Sequence, residues 1–278
     1  MSSECAKTRW GASYRLVAAQ KWRAKSAAMG RAVTEALVEY AAPGQGMNVL
    51  DVASGTGEPA ISVAESVGPL GQVTALDLSA DLLAIADERA RARGLANFST
   101  QPGDVHQLPF PMEHFDLATC RFGVMFFADC ERALRELYRV LKPGARACFA
   151  AWGPFEQPYW SSTVAIVHRH VGGPLLAPDS VSMFRFAQSG QLSQHLRCAG
   201  FIPEESRRTL PWSWPGSPEE VWEYIRSVSV PFRPLLDRVP QGKWAEIENE
   251  IQQMIRNYYD GSSVNFSADI VLASGKKT

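Results

Sequence analysis

Short apolar runs in this chain alternate with amphipathic stretches of a longer period. Runs bounded by Gly, Pro or Asp predict strands near 47–52, 72–77, 97–101, 115–120, 145–151, 203–209 and 264–273. Between them, apolar residues recur at helical spacing and predict helices near 14–41, 58–67, 79–93, 129–140 and 187–199. Ser79 and Asp129 stand at N-cap positions. Lys142-Pro143-Gly144 reads as a turn that ends one helix and starts a strand. Strand–helix alternation with short connections predicts an α/β fold, a doubly wound and mostly parallel seven-stranded sheet with helices on both faces. Residues 152–186 and 211–262 break the alternation and read as two helical insertions. The expected organisation is an N-terminal helical cap over 1–45 and a larger domain over 46–278 that carries both insertions.

Composition narrows the classes. A net charge of −1 leaves no basic field to recruit nucleic acid or an anionic membrane. No apolar run approaches the length of a membrane span. Cys5, Cys120, Cys130, Cys148 and Cys198 are odd in number, widely spaced and form no C-x-x-C pair. They are expected to be reduced thiols in a cytoplasmic compartment. Residues 1–34 carry seven Lys and Arg against the single acid Glu4. Such sequence reads either as a mitochondrial transit peptide or as an amphipathic helix that covers a site. Tyr14, Val17, Ala18 and Trp22 share a face at helical spacing and favour the helix.

The densest chemical signal is Val49-Leu50-Asp51-Val52-Ala53-Ser54-Gly55-Thr56-Gly57, an apolar strand, an acid and a small-residue loop before a helix. Such a loop holds nucleotide-like ligands in doubly wound folds, because its amides and the helix N-terminus face an anion. Gly55 and Gly57 allow a sharp turn and close approach. Asp77 ends the second strand about twenty residues later, the spacing at which a carboxylate reads ribose hydroxyls. A dinucleotide site is one reading, since Gly55-Thr56-Gly57-Glu58-Pro59-Ala60 fits its fingerprint loosely. Acids at three successive strand ends, Asp51, Asp77 and Asp104, instead suit a ligand with an amine, a ribose and an adenine.

The segments LDVASGTG, ALDLS, GDVHQLPF, FDLATCRFGVMFF and RVLKPG, in this order, resemble class I S-adenosylmethionine-dependent methyltransferases. The likeness is greatest to the ubiquinone/menaquinone C-methyltransferase-like group of small-molecule enzymes and covers roughly 45–152. Ala53 and Ala145 stand where that family often has Gly. The resemblance implies a Rossmann-like methyltransferase fold with an antiparallel last strand. It implies S-adenosylmethionine as cofactor and S-adenosylhomocysteine as product. The tail carboxylate would meet the loop Ala53, Ser54, Gly55, Thr56 and Gly57, with Asp51 toward the ammonium. Asp77 would accept the ribose hydroxyls, Leu78 would pack on adenine, and Asp104 with Val105 would read the adenine edge. The Cys120 carbonyl would take the ammonium, leaving Arg121 and Phe122 toward the methyl group or the acceptor.

The remainder concerns the acceptor. Six of eight Trp fall after residue 150, together with Phe155, Tyr159, Phe184, Phe186, Tyr224 and Phe232. Aromatics at that density on inserted segments predict a lid over an apolar or aromatic acceptor. Tyr14, Trp22, Trp152, Trp160, Phe184, Trp214 and Trp222 are the candidate lining. His106, just after Asp104, is the candidate general base, needed only where the nucleophile arrives protonated. No His/Cys spacing points to a metal. The function expected is methyl transfer to a small organic acceptor. The alternatives are a scaffold that uses the same pocket for cyclisation or partner binding, and an NAD-dependent oxidoreductase.

Overall fold

The computed structural model describes residues 21–177 and 180–278. The strands are β1 (Asn48–Val52), β2 (Gln72–Asp77), β3 (Phe98–Pro102), β4 (Phe115–Arg121), β5 (Leu141–Trp152), β6 (Ile202–Pro215) and β7 (Ser263–Lys276). They form one sheet in the order β3-β2-β1-β4-β5-β7-β6. The pairs from β3 through β5 are parallel, and β7 runs antiparallel to both β5 and β6. A parallel strand covered on both faces needs a continuous apolar run. β1 has one: Val49 through Val52 are all buried, Asp51 among them. The sequence order reverses between β1 and β4, where doubly wound sheets open a crevice at the strands' carboxyl ends.

The helices are α1 (Arg23–Met29), α2 (Arg31–Ala41), α3 (Ala60–Val67), α4 (Ala80–Ala92), α5 (Cys130–Val140), α6 (Pro158–Ser161), α7 (Val164–Val171), α8 (Gln191–Cys198), α9 (Pro218–Val228), α10 (Arg233–Leu236) and α11 (Trp244–Arg256). Ser79 caps α4 by accepting the Leu82 amide, and Asp129 caps α5 by accepting the Arg132 amide. α9 starts with a reciprocal capping box between Ser217 and Glu220.

Three boundaries differ from expectation. The expected helix over 14–41 breaks at Gly30 into α1 and α2, and its first turns lie outside the described residues. The expected turn at Lys142-Pro143-Gly144 stays within β5 as a bulge, with Phe115 paired to Leu141 and Leu117 paired to Arg146. β6 does not end near 209 but runs to Pro215, paired residue by residue with β7. The second insertion therefore begins at 216 and not at 211.

Candidate active site

The loop after β1 is built from two kinds of glycine. Gly55 has φ +55°, and a Cβ placed on it would touch nothing, so its open side is free for close approach. Gly57 has φ +106°, and a Cβ there would fall 2.7 Å from Ile61 Cδ1 and 3.1 Å from Ala86 Cβ. Gly57 therefore packs the loop against α3 and α4 and does not reach the cavity, which corrects its place among the contact residues. Ala53 also has a positive φ, +55°, which costs an alanine about 1–2 kcal/mol relative to glycine's tolerance.

The three strand-end acids have different surroundings. Asp77 accepts the Gly55 amide through Oδ2 and the Ser79 amide through Oδ1, both at 2.9 Å. Each oxygen keeps a lone-pair direction for a hydroxyl. Leu78 beside it is partly exposed and lines the cavity. Asp104 accepts the His106 amide at 2.9 Å and faces His106 Nδ1 at 2.6 Å, both through Oδ1. Burial works to raise the Asp104 pKa, but the His106 amide and ring together hold it below the usual carboxylate range. Val105 is nearly buried and forms part of the same wall.

Asp51 is fully buried beneath the loop and stands behind the cavity wall, not on it. Thr119 donates to its Oδ1 at 2.6 Å, and the Ser54 hydroxyl lies by the same carboxyl. Burial raises the Asp51 pKa to about 7, against the lowering effect of the Ser54 and Thr119 hydroxyls. Cys120 is also behind the wall, and burial pushes its thiol far above the usual range, so the sulfur is inert.

Arg121 and Phe122 leave β4 directly into the cavity. Arg121 Nη1 donates to Thr34 Oγ1 at 2.6 Å and to the Gly30 carbonyl at 3.3 Å, and its Nε has no partner. It thereby ties α1 and α2 to the end of β4. Burial lowers its pKa, while the fields of Glu58 and Asp51 oppose that shift. Phe122 sits at φ +59°, a conformation that bulky side chains rarely adopt. Its ring stacks on Trp152 at 4.7 Å between centroids. Backbone strain of this kind concentrates at functional sites.

His106, the candidate base, lines the cavity beside Asp104. The Asp129 amide donates to Nε2 at 3.3 Å, so Nε2 is the unprotonated nitrogen and Nδ1 carries the proton that Asp104 accepts. Both ring nitrogens are used, and the ring acts as a bracket for Asp104. Among the described residues, no three His, Cys, Asp or Glu side chains gather as a metal site.

One cavity of about 490 Å³ joins these groups to an aromatic wall. Of the candidate lining residues, Trp152 and Trp160 face this cavity. Tyr14 lies outside the described residues. Trp22, Trp214, Trp222 and Phe184 do not line it. Trp22 packs edge-on against Trp214 at 5.4 Å, and Trp214 meets Tyr224 at 4.7 Å, a core cluster behind the wall. Trp222 donates to Glu248 on α11, and Phe184 backs Trp160 at 5.7 Å. The lining instead includes Tyr159, Trp212, Tyr224, Phe232 and Met183. Trp212 and Trp214 share one face of β6 at period 2, so alternation cannot separate them. Only their distance along the ribbon does. Phe122, Trp152 and Tyr159 form a stack, with interplanar angles of 15° and 9° between successive rings.

A reversed-order sheet ending in an antiparallel strand, with a glycine loop and acids at three strand ends, defines the class I S-adenosylmethionine-dependent methyltransferase fold. The chain belongs to the ubiE/COQ5 methyltransferase family, whose model matches residues 26–172. It is 40% identical over 128 residues to a demethylmenaquinone methyltransferase of Listeria welshimeri, covering 46% of this chain and 54% of that relative. The chain thus spans about half the length of the first such relatives. A demethylmenaquinone methyltransferase of Geobacillus kaustophilus is 35% identical over 173 residues, covering 58% of this chain and 73% of the relative. In fold, the chain is similar to a crystal structure of a methyltransferase-like protein from Bacillus halodurans, with a TM-score of 0.59, 22% identity and coverage of 88% and 98%. It is also similar to the cyclase SpnF, with a TM-score of 0.54, 23% identity and coverage of 88% and 81%. No helix among the described residues is long and apolar enough to cross a membrane.

Proposed function

We propose that this protein transfers a methyl group from S-adenosylmethionine to a small, flat, largely apolar organic acceptor of the quinone-like or aromatic kind. The carrying observation is that one cavity joins the strand-end acids Asp77 and Asp104 to the wall of Trp152, Tyr159, Trp160 and Trp212. The residues fit the cofactor: Gly55 leaves an open cradle, and the carboxyl of Asp51, buried behind the wall at that loop, would act on the ammonium through its field. The cofactor, when bound, supplies a methyl group on a sulfonium. Asp77 would hold the ribose hydroxyls, Asp104 and Val105 the adenine edge, and the loop over Ala53, Ser54, Gly55 and Thr56 the tail carboxylate. Phe122 stands between the two ends and would set the acceptor plane against Trp152. An aromatic wall keeps water from the reacting atoms, and alignment lowers the barrier of an in-line displacement.

The names of the relatives point to a demethylated quinone, but much of this chain's wall, including Trp212, Tyr224 and Phe232, lies beyond the residues that match the family. The acceptor is therefore read from this chain's own wall. The insertions 152–186 and 216–262, with the N-terminal helices, are taken as the lid of the acceptor pocket. Cys120, Cys130, Cys148 and Cys198 are free thiols, which supports a reducing, cytoplasmic setting.

The test is to incubate the protein with S-adenosylmethionine labelled on the methyl group and a panel of phenols, hydroquinones and alicyclic alcohols. Label should move to extractable aromatic products. Binding of the cofactor with no transfer to any member of the panel, or transfer to the alicyclic alcohols alone, would overturn the reading.

A further inference from the structure

The guanidinium of Arg121 is gripped on one side and open on the other. Nη1 donates to Thr34 Oγ1 at 2.6 Å and to the Gly30 carbonyl at 3.3 Å. Nε is sealed from solvent. Nη2 is neither sealed nor hydrogen-bonded to any described residue, and Arg121 lines the cavity. Thr34 is buried. Its hydroxyl spends its one hydrogen on the Gly30 carbonyl at 3.2 Å, so its oxygen meets Arg121 as an acceptor. A Cβ on Gly30 would fall 3.0 Å from Nη1, so the grip leaves little room.

This cation has no close counter-ion. Among the described residues, no carboxylate hydrogen-bonds to it. Glu58, whose field reaches it, is taken by Arg89 at 3.1 Å and by the Ser62 hydroxyl at 2.8 Å. Asp51 is buried behind the wall and held by Thr119. A charge removed from water is costly unless paired, and the arginine fork matches a carboxylate. The end of β4 lies against the glycine loop, since a Cβ on Gly123 would fall 2.4 Å from Ala53 Cβ. That loop has few donors left. Its Ser54 amide is spent on the Leu76 carbonyl at 3.0 Å, its Gly55 amide on Asp77 at 2.9 Å, and its Gly57 amide on the Ser54 carbonyl at 2.9 Å. An anion at this end of the cavity calls for a donor from outside the loop.

We propose that Arg121 anchors a carboxylate in this cavity, and that Thr34 is the positioning residue that aims it. This rests on the methyl-transfer reading above, in which two molecules can supply the group. One is the amino-acid tail of the cofactor, and the other is an acid substituent on the acceptor. From either source, the anchor ties the ligand to the junction of α1 and α2, where Gly30 and Thr34 stand.

The experiment measures the affinity of the full chain for S-adenosylhomocysteine and for S-adenosyl-3-thiopropylamine, which keeps the ammonium and lacks only the carboxylate. 1-Naphthoate and naphthalene are then titrated into the S-adenosylhomocysteine complex. Arg121→Met, Arg121→Lys, Thr34→Val and Thr34→Ser are compared with wild type. With the tail as the source, wild type should prefer S-adenosylhomocysteine to the amine about thirtyfold. Arg121→Met should erase that preference by weakening S-adenosylhomocysteine alone, and Arg121→Lys should keep part of it. With the acceptor as the source, that first preference should survive in Arg121→Met, and the variant should lose naphthoate while naphthalene is unchanged. In the arm that responds, Thr34→Val should lose part of the preference and Thr34→Ser should recover it, a pattern that lost stability does not produce. Unchanged preference in both arms overturns the proposal, read on Thr34→Val if Arg121→Met does not fold. So does an Arg121→Met that weakens both members of each pair alike. No binding of either adenosyl ligand by wild type overturns the methyl-transfer reading and this proposal with it. S-adenosylhomocysteine bound with no preference for a carboxylate in either arm counts against this proposal alone.

Discussion

Asp77 Oδ2 accepts the Gly55 amide at 2.9 Å, so the acid that ends β2 also holds the loop that follows β1. The same carboxylate secures the Ser79 amide at the start of α4. Asp77→Asn keeps an oxygen for one of these bonds, and Asp77→Ala keeps none. Affinity for S-adenosylhomocysteine should therefore fall in the order wild type, Asn, Ala. The Ala variant should lose on the order of a hundredfold, from two hydrogen bonds to a charged acceptor. Asp104→Ala should lose less, since Asp104 would accept a single bond from the neutral adenine amine. Calorimetric titration checks the ranking, and a larger loss at Asp104 would reverse the assignment.

Burial of Asp51 has a consequence for pH. Its folded pKa is raised to about 7, while an unfolded Asp titrates near 3.9. Between those values the folded state holds a proton that the unfolded chain has released. The contribution is thus fully present below about pH 4 and is lost as pH rises toward 7, a change on the order of 4 kcal/mol. Asp51→Asn should remove that slope. It should be more stable than wild type at neutral pH and lose its advantage near pH 4, by urea unfolding at each pH. A pH-independent difference would contradict the buried, protonated Asp51. A bound cation beside Asp51 favours its ionised form, so wild-type cofactor affinity should also rise between pH 5.5 and 7, and Asp51→Asn should flatten that rise.

Ala53 and Gly123 exclude one another's side chains. A Cβ on Gly123 would fall 2.4 Å from Ala53 Cβ. Gly123→Ala should cost about 1–3 kcal/mol through overpacking. Adding Ala53→Gly should recover part of that loss, because it removes the closer contact and relieves the positive φ, while the new Cβ still falls 2.8 Å from the buried Cys120 Sγ. Thermal unfolding of the single and double variants tests the pairing. Additive losses would show that the two sites do not meet.

Trp214→Ala should behave as a core truncation. Fully buried against Trp22 and Tyr224, it should cost about 3–5 kcal/mol in stability. Cofactor affinity of the folded fraction should stay unchanged. A large loss of affinity with unchanged stability would place Trp214 at the ligand after all.

The strand-end acids and the glycine loop were legible in the sequence because each is a local pattern. A strand, an acid and a small-residue turn are contiguous, and the sheet order follows from their connection. The length of β6 was not. Pro211 and Pro215 fall in the stretch assigned to the second insertion, and proline interrupts a ladder. β6 is an edge strand that pairs only with β7, so its other side has no ladder to interrupt. The acceptor wall was legible as a composition and not residue by residue. Tryptophans crowd the inserted segments, but which of them face the cavity depends on where the β6–β7 ribbon crosses α1, a contact between distant parts of the chain. The second nitrogen of His106 was equally hidden, because its partner is the Asp129 amide, twenty-three residues away.

Calorimetric titration of S-adenosylhomocysteine into the full chain, with Asp77→Ala as the control, probes the cofactor assignment most directly. One site per chain with micromolar affinity is expected for the wild type, with a strong loss in the variant. No heat and no thermal shift in the wild type, or undiminished binding by Asp77→Ala, would contradict it.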